Sequence, residues 1–487
     1  MKALLVAAFL LVGVFRLWLI WEVPACAFHS DSHTYLRTAK MFWDDGHIGI
    51  HPKRSFLYPA LLAVMHPVPG RLSLHILFVQ HALALVVAWL AVRLRREFLP
   101  GVGWADAPLV LLVGLNAPLL FYAHDMMAEV GYAAAFLLCA WRLWRFLVAP
   151  GVAHAAGVLW SSALAMAVRP DGRMLLLFCV PLMGAAAWGA WRRGAVLRGL
   201  WRAVLPLCAC AGLWAGGRVT QEGWLFYSSV FPLTDLGSPL HAELKEELRP
   251  WVEVARRDLA AYPAMQSDMQ GRLGHKKGSI GPQWDALKGA GQDKGLHRVC
   301  RELAVEAVVA RPAEFVLLLG YKIRHVLCKR RDVAEEFRPS KMGADWEEQM
   351  RAETEYVPIL WGDGATWERW RGGFFAQKGE GPVEATLRRL EPITSPPWWG
   401  LWGALAVAGW GAGIRRHGWR LAVWLGVVVG CLVLTFAIAR GITRYLLPFE
   451  PLWALGVVML AAETWGALCR AWPGSAAGCR ERNGGRA

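Results

Sequence analysis

Acidic residues are scarce in this chain and paired cysteines are missing. Only 38 of its 487 residues are Asp or Glu, against 53 Lys and Arg, and all charged residues together make 19%. An ordinary soluble domain carries about 25%, so a fully hydrated surface is excluded for much of the molecule. No C-x-x-C pair occurs among the ten cysteines, which excludes a zinc ribbon or a dithiol redox motif. The histidines at 29, 33, 51 and 124 lack compact ligand spacing, which argues against a zinc site. No repeat of fixed period is visible, so a helical-repeat architecture is excluded.

What is abundant is apolar. Hydrophobic residues make 55% of the chain, and mean hydropathy is +0.31. That composition predicts an all-α polytopic membrane protein with one sizeable polar segment. The net charge of +15 would suggest nucleic acid in a soluble chain. Here it reads as topology signal and lipid headgroup contact, with no nucleic acid partner. Many of the 28 Trp stand at the ends of apolar runs, where an aromatic belt would place them. Half of the cysteines lie inside apolar runs, and Cys300 with Cys328 is the pair available for an outside disulfide. Lys2, the apolar run and Ala25-Cys26-Ala27 mimic a signal peptide. The run from Ala3 to Trp21 is as long as a bilayer span, so a retained first helix is expected, with Arg16 snorkelling at its outer end.

Runs of about 20 apolar residues predict roughly ten spans, at 3–22, 72–92, 107–123, 126–148, 155–168, 173–190, 201–217, 397–414, 420–438 and 445–467. Arginines crowd alternate loops, as at 93–96, 142–145, 192–202, 415–420 and 470–482. The positive-inside rule then puts both termini in the cytoplasm. The expected organisation is an N-terminal bundle over 1–217 with a first outside loop at 23–71. An extracytoplasmic helical insert follows over 218–396, then C-terminal helices over 397–467 and a cytoplasmic tail over 468–487. Within the insert, 312–328 is too short and too basic to span, and it reads as a helix lying in the interface behind Pro312.

This topology gathers acids and arginines on the outer face. Asp31 follows the first span, Asp125 and Glu129 straddle the start of the fourth, and Arg169, Asp171 and Arg173 share a short turn. Arg440 and Arg444 bracket the last outside turn. Charges at membrane-proximal helix ends are costly unless solvated, paired or functional. Arginine offers a planar donor fork for phosphate oxygens, and a carboxylate can take the proton of an attacking hydroxyl. Together these suit transfer from a lipid-phosphate donor. Asp31 also fits the N-cap of a helix at Ser32–Trp43, and Arg169 also fits a local pair with Asp171.

Four segments, in order, resemble the GT-C superfamily of membrane glycosyltransferases, which includes protein O-mannosyltransferases, aminoarabinose transferase and bacterial relatives that use polyprenyl-phosphate sugars. They are Asp31-Ser32-His33-Thr34-Tyr35 with Ala39; Arg54-Ser55-Phe56-Leu57-Tyr58-Pro59; Asn116-Ala117-Pro118 with Glu129; and Arg169-Pro170 with Arg444-Tyr445-Leu446-Leu447-Pro448. The second segment lacks the Pro-Pro-Gly of its counterpart, and Asp31 stands where many relatives have an adjacent acidic pair. The resemblance implies a GT-C-like bundle and transfer of a sugar to a hydroxyl acceptor on the outer face of a bacterial inner membrane, with inversion. It implies Asp31 as base, with Glu129, or Asp125 in its place, on the acceptor or cation side. Lys53, Arg54, Arg169, Arg440 and Arg444 would contact the donor phosphate, and Tyr35, Tyr58 and Tyr445 complete the substrate-binding set. A divalent cation bridging phosphate and acids is the one cofactor this chemistry admits. The competing readings are a polyprenyl-linked glycan polymerase or ligase, and a non-catalytic lipid flippase or assembly subunit.

Overall fold

A computed structural model describes residues 1–28, 31–46, 55–65, 72–192, 206, 208–211, 222–266, 293–328, 333–352, 360, 364–377, 379–394, 401–438 and 446–471. Lys53, Arg54, Arg440, Arg444 and Tyr445 lie outside the described residues, as does most of the expected span at 201–217.

The described chain is helical. Its first helices are α1 (Lys2–Glu22), α2 (Ser32–Asp45), α3 (Leu57–Met65), α4 (Leu72–Phe98), α5 (Asp106–Gly114), α6 (Ala117–His124), α7 (Glu129–Val148), α8 (Val152–Val168) and α9 (Arg173–Arg192). Then come α10 (Glu222–Val230), α11 (Ala242–Arg257), α12 (Asp293–Ala310), α13 (Pro312–Cys328), α14 (Val333–Glu336), α15 (Pro339–Ala352) and α16 (Gly364–Gly372). The last are α17 (Pro382–Thr394), α18 (Leu401–His417), α19 (Trp419–Ile438) and α20 (Glu450–Ala471). Among the described residues the single β-bridge joins Ala27 and Asp125.

Among the described residues four helices are long and apolar enough to cross a membrane: Lys2–Glu22, Leu72–Phe98, Glu129–Val148 and Glu450–Cys469. The pair Gly103–Gly114 and Ala117–His124, bent by 51°, makes a fifth if counted as one span. The sequence predicts a continuous helix there. It breaks because Asn116 caps the second half, its Oδ1 accepting from Leu119 N at 3.0 Å, and Pro118 follows in the first turn. The face that α1 turns outward is apolar: Leu4, Leu10, Leu11, Val14 and Leu17 are exposed, while Arg16 is buried. Hydrocarbon suits such a helix better than water does.

The chain packs as two compact units. The first comprises 1–215, 331–428 and 446–487; the second comprises 216–330 and 429–445. Residues 331–396, grouped by sequence with the insert, therefore pack in the first unit.

In the first unit α18 and α20 meet at glycines. A Cβ on Gly409 would collide with the Gly456 carbonyl oxygen, and one on Gly456 would lie 2.7 Å from the Ala406 oxygen. Small residues let the two backbones touch. Gly409→Val is expected to cost about 1–3 kcal/mol through overpacking, read as a lowered unfolding midpoint of the detergent-solubilised chain.

The second unit has its own core, built by Tyr227, Phe231, Leu248, Val252, Cys300, Leu303 and Leu318 among others. Cys300 is a free, buried thiol. Helix α13 buries Leu318, Lys322 and Val326 at helical spacing and leaves Val316 and Leu317 exposed, so its outer edge is apolar. Lys322 donates to Ser229 Oγ, and Ser229 donates to the Ala437 carbonyl at 2.7 Å. Burial lowers the Lys322 ammonium to about 7, whereas an unfolded lysine titrates near 10.4. Between those values the unfolded chain binds the extra proton, so this lysine makes stability fall as pH drops from about 10 to about 7, with no further loss below. Lys322→Met is expected to flatten that dependence, measured as unfolding midpoint against pH.

Candidate active site

Prolines and an asparagine interrupt the helices where the site lies. Helix α1 stops before Pro24, because the residue preceding a proline is pushed out of helical geometry. Val23 has φ −130° and ψ 74°. Helix α8 stops at Arg169 for the same reason, with φ −144° and ψ 142° before Pro170. The turn Pro170–Gly172 folds tightly against α8, and a Cβ on Gly172 would strike the backbone of Ala165 and Met166. Each break frees backbone groups that must find partners inside an apolar bundle.

The segment after α1 finds them in the segment after α6. Ala27 N donates to His124 O at 2.7 Å, and Met126 N donates to Ala27 O at 3.0 Å. Gln80 of α4 donates to Asp125 O at 2.6 Å and to Tyr58 Oη at 3.1 Å. Cys26 N donates to Ser73 Oγ at 3.0 Å, and Trp346 Nε1 donates to Cys26 O at 2.9 Å. The Phe28 and Trp346 rings stack with centroids 4.7 Å apart. The loop that leads to Asp31 is thus anchored on α4, on α15 and on the α6–α7 connection.

Asp31 stands at the head of α2. Its carbonyl accepts from Thr34 N at 3.2 Å and from Thr34 Oγ1 at 2.7 Å, while its carboxylate makes no capping bond to the helix. Capping therefore does not account for the carboxyl group. One turn on, Tyr35 meets Tyr58 edge to face, with centroids 4.9 Å apart. Both rings are buried.

Glu129 opens α7. Its Oε1 accepts from Arg169 Nη1 at 2.6 Å, and Asp171 Oδ2 accepts from Arg169 Nε at 3.0 Å and Nη2 at 2.8 Å. The Arg169 guanidinium also lies 5.7 Å from the centre of the Tyr132 ring. Arg169 is thus held between two carboxylates and beside a ring. Nearby, Ser55 Oγ donates to Met166 O at 2.7 Å, which ties the chain beside Tyr58 to the end of α8.

The electrostatics separate the acids. Asp125 and Glu129 are buried, at 1% and 2% exposure, whereas Asp31 is partly exposed. Burial pushes the Tyr58 phenol well above its ordinary value, and the charges of Asp125, Cys26, Tyr35 and Glu129 add to the effect. Tyr58 is therefore a neutral phenol at physiological pH. Burial likewise raises the Cys26 thiol to about 12, too high for a thiolate nucleophile. Among the described residues no group of three or more His, Cys, Asp or Glu is arranged to hold a metal ion. Glu129 already has a cation at 2.6 Å, so a divalent ion there would face like charge.

The structure thus brings together Tyr35, Tyr58, Asp125, Glu129 and Arg169, with Asp31 one helical turn from Tyr35. It adds Gln80, His81, Cys26 and Ser73, which the sequence reading passed over. Their signal was the polar pair Gln80-His81 inside an apolar run. Arg16 does not snorkel: it is buried and donates to Gly114 O at 2.7 Å. No protein-family model, curated protein or solved structure matches the chain.

Proposed function

We propose that the chain is an integral membrane glycosyltransferase that moves a sugar from a polyprenyl-phosphate carrier to a hydroxyl acceptor on the extracytoplasmic face of a bacterial inner membrane. In this reading the shorter or less apolar helices α8, α9, α18 and α19 also cross the bilayer, and with the span expected from sequence at 201–217 this gives about ten spans and cytoplasmic termini. One observation carries the choice of base: of the three acids proposed for the site, Asp31 alone reaches solvent.

The Asp31 carboxylate takes the proton of the acceptor hydroxyl as its oxygen attacks the anomeric carbon. The bond from that carbon to the phosphate oxygen breaks on the opposite face. The polyprenyl phosphate leaves with the electron pair, and the anomeric centre inverts. Arg54 and Arg444, on the strength of their motifs, meet the phosphate charge that develops; Lys53, Arg440 and Tyr445 stand beside them in the sequence. Glu129, held by Arg169, shapes the acceptor side. Tyr35 and Tyr58, packed edge to face, complete the substrate-binding set that the motifs imply.

The test uses the full chain in nanodiscs with radiolabelled polyprenyl-phosphate monosaccharides and a cell-envelope extract. Transfer of label from at least one donor is the expected result. Binding of polyprenyl phosphate without transfer from any donor would replace this reading with the flippase or assembly-subunit one.

A further inference from the structure

A chain of polar side chains runs through the apolar bundle, where polar groups are costly. Arg16 Nη1 of α1 lies 3.1 Å from His81 Nδ1 of α4. His81 Nε2 lies 3.1 Å from His124 Nδ1 of α6, and His124 Nε2 lies 2.6 Å from the Val23 carbonyl oxygen. All three side chains are buried. The two ends fix the direction. A guanidinium only donates and a carbonyl only accepts. His81 Nδ1 must therefore accept, which leaves its proton on Nε2. His124 Nδ1 accepts that proton's bond, which leaves the His124 proton on Nε2, facing Val23. Both imidazoles are neutral and both are the Nε2–H tautomer. The cation at the head polarises each bond in turn, consistent with the short last contact.

We infer that this one-way chain positions the loop bearing Asp31, with His81 as the positioning residue. The chain ends on Val23, the first residue after α1. His124 also accepts, through its own carbonyl, from Ala27 N, so a single residue holds the loop at two points four residues apart, one by its ring and one by its backbone. Gln80, beside His81, holds Asp125 and Tyr58. The two adjacent residues of α4 thereby set the Asp31 loop, the α6–α7 connection and α3 in one register. The effect on transfer rests on the proposed function; the chain and its clamp do not.

The test has three parts. Nitrogen NMR of the full chain in nanodiscs, labelled at histidine, is expected to show Nδ1 bare and Nε2 protonated for His81 and His124. A proton on either Nδ1 overturns the chain. Glutamine offers an acceptor and a donor on one amide, so His81→Gln keeps the clamp and His81→Leu does not. In His81→Leu the amides of Ala27 and Met126 are expected to exchange hydrogen about five- to tenfold faster, the equivalent of one hydrogen bond, and His81→Gln is expected to restore protection. Unchanged exchange in His81→Leu overturns the clamp. The turnover number should fall about 10²-fold in His81→Leu, the scale of a 1 Å misplacement, with KM held and with rescue by Gln. Faster exchange with an unchanged turnover number overturns the positioning role. Absence of transfer by the wild type would instead remove the proposed function and leave the exchange and NMR results standing.

Discussion

Arg169→Met is expected to destabilise the protein by about 3–5 kcal/mol, because removing one partner of a buried ion pair leaves the other charge in an apolar setting. Glu129 is the partner that suffers. It is 2% exposed, and the Arg169 guanidinium lies 2.6 Å from its Oε1. Asp171, whose side chain is 23% exposed, rehydrates and adds little. The same reasoning fixes the double variant. Replacing both members of a buried pair by neutral residues of similar size is often close to neutral, so Glu129→Gln with Arg169→Met should recover most of the loss. Thermal unfolding of the solubilised chain, followed by tryptophan fluorescence, reads both. A single variant that loses under about 1 kcal/mol would place the pair among weak surface contacts. A double variant no better than the single would mean that Arg169 acts through Asp171 or Tyr132.

Asp31→Asn is expected to lower sugar transfer by about 10²–10⁴-fold, the usual contribution of a positioned general base. The stability change should stay within about 1 kcal/mol, the scale of one charge near a helix N-terminus. This substitution isolates the carboxylate's chemistry from any effect on the helix start. Asparagine caps helices as well as aspartate does, so a purely capping residue would tolerate the change in every assay. A base would not, since an amide cannot take the proton. Asp31→Glu, which keeps the carboxylate but displaces it, should fall between the two.

Much of the architecture was legible in the sequence, because hydropathy and proline placement are local signals. The runs 3–22, 72–92 and 126–148 became α1, α4 and α7 within a few residues, and α13 opens at Pro312, where the pattern placed its start. The bend after Leu115 was missed although Asn116-Ala117-Pro118 stood in plain view; an apolar run of sufficient length outweighed a capping signal. The packing units were less legible. That 331–396 joins the first unit and 429–445 the second depends on contacts far apart in sequence, which no window reports.

For the site, the motifs located the breaks but not the roles. For Arg169 the sequence shows Asp171 as a local partner; Glu129, forty residues earlier, holds its other side. Arg16 looked like a snorkelling residue because nothing local offers a partner, and its partners are 65 and 98 residues away. Buried polar groups are satisfied through tertiary contact, so their assignments come last in any sequence reading.

The central claim is that Asp31 is the base of a sugar transfer. The most direct measurement follows label from polyprenyl-phosphate monosaccharides into acceptor with wild type and Asp31→Asn in parallel, each first shown to unfold at the same temperature. Transfer by the wild type and loss of at least about 10²-fold in the variant is the expected result. Equal transfer by both proteins would contradict it and remove Asp31 from the chemistry.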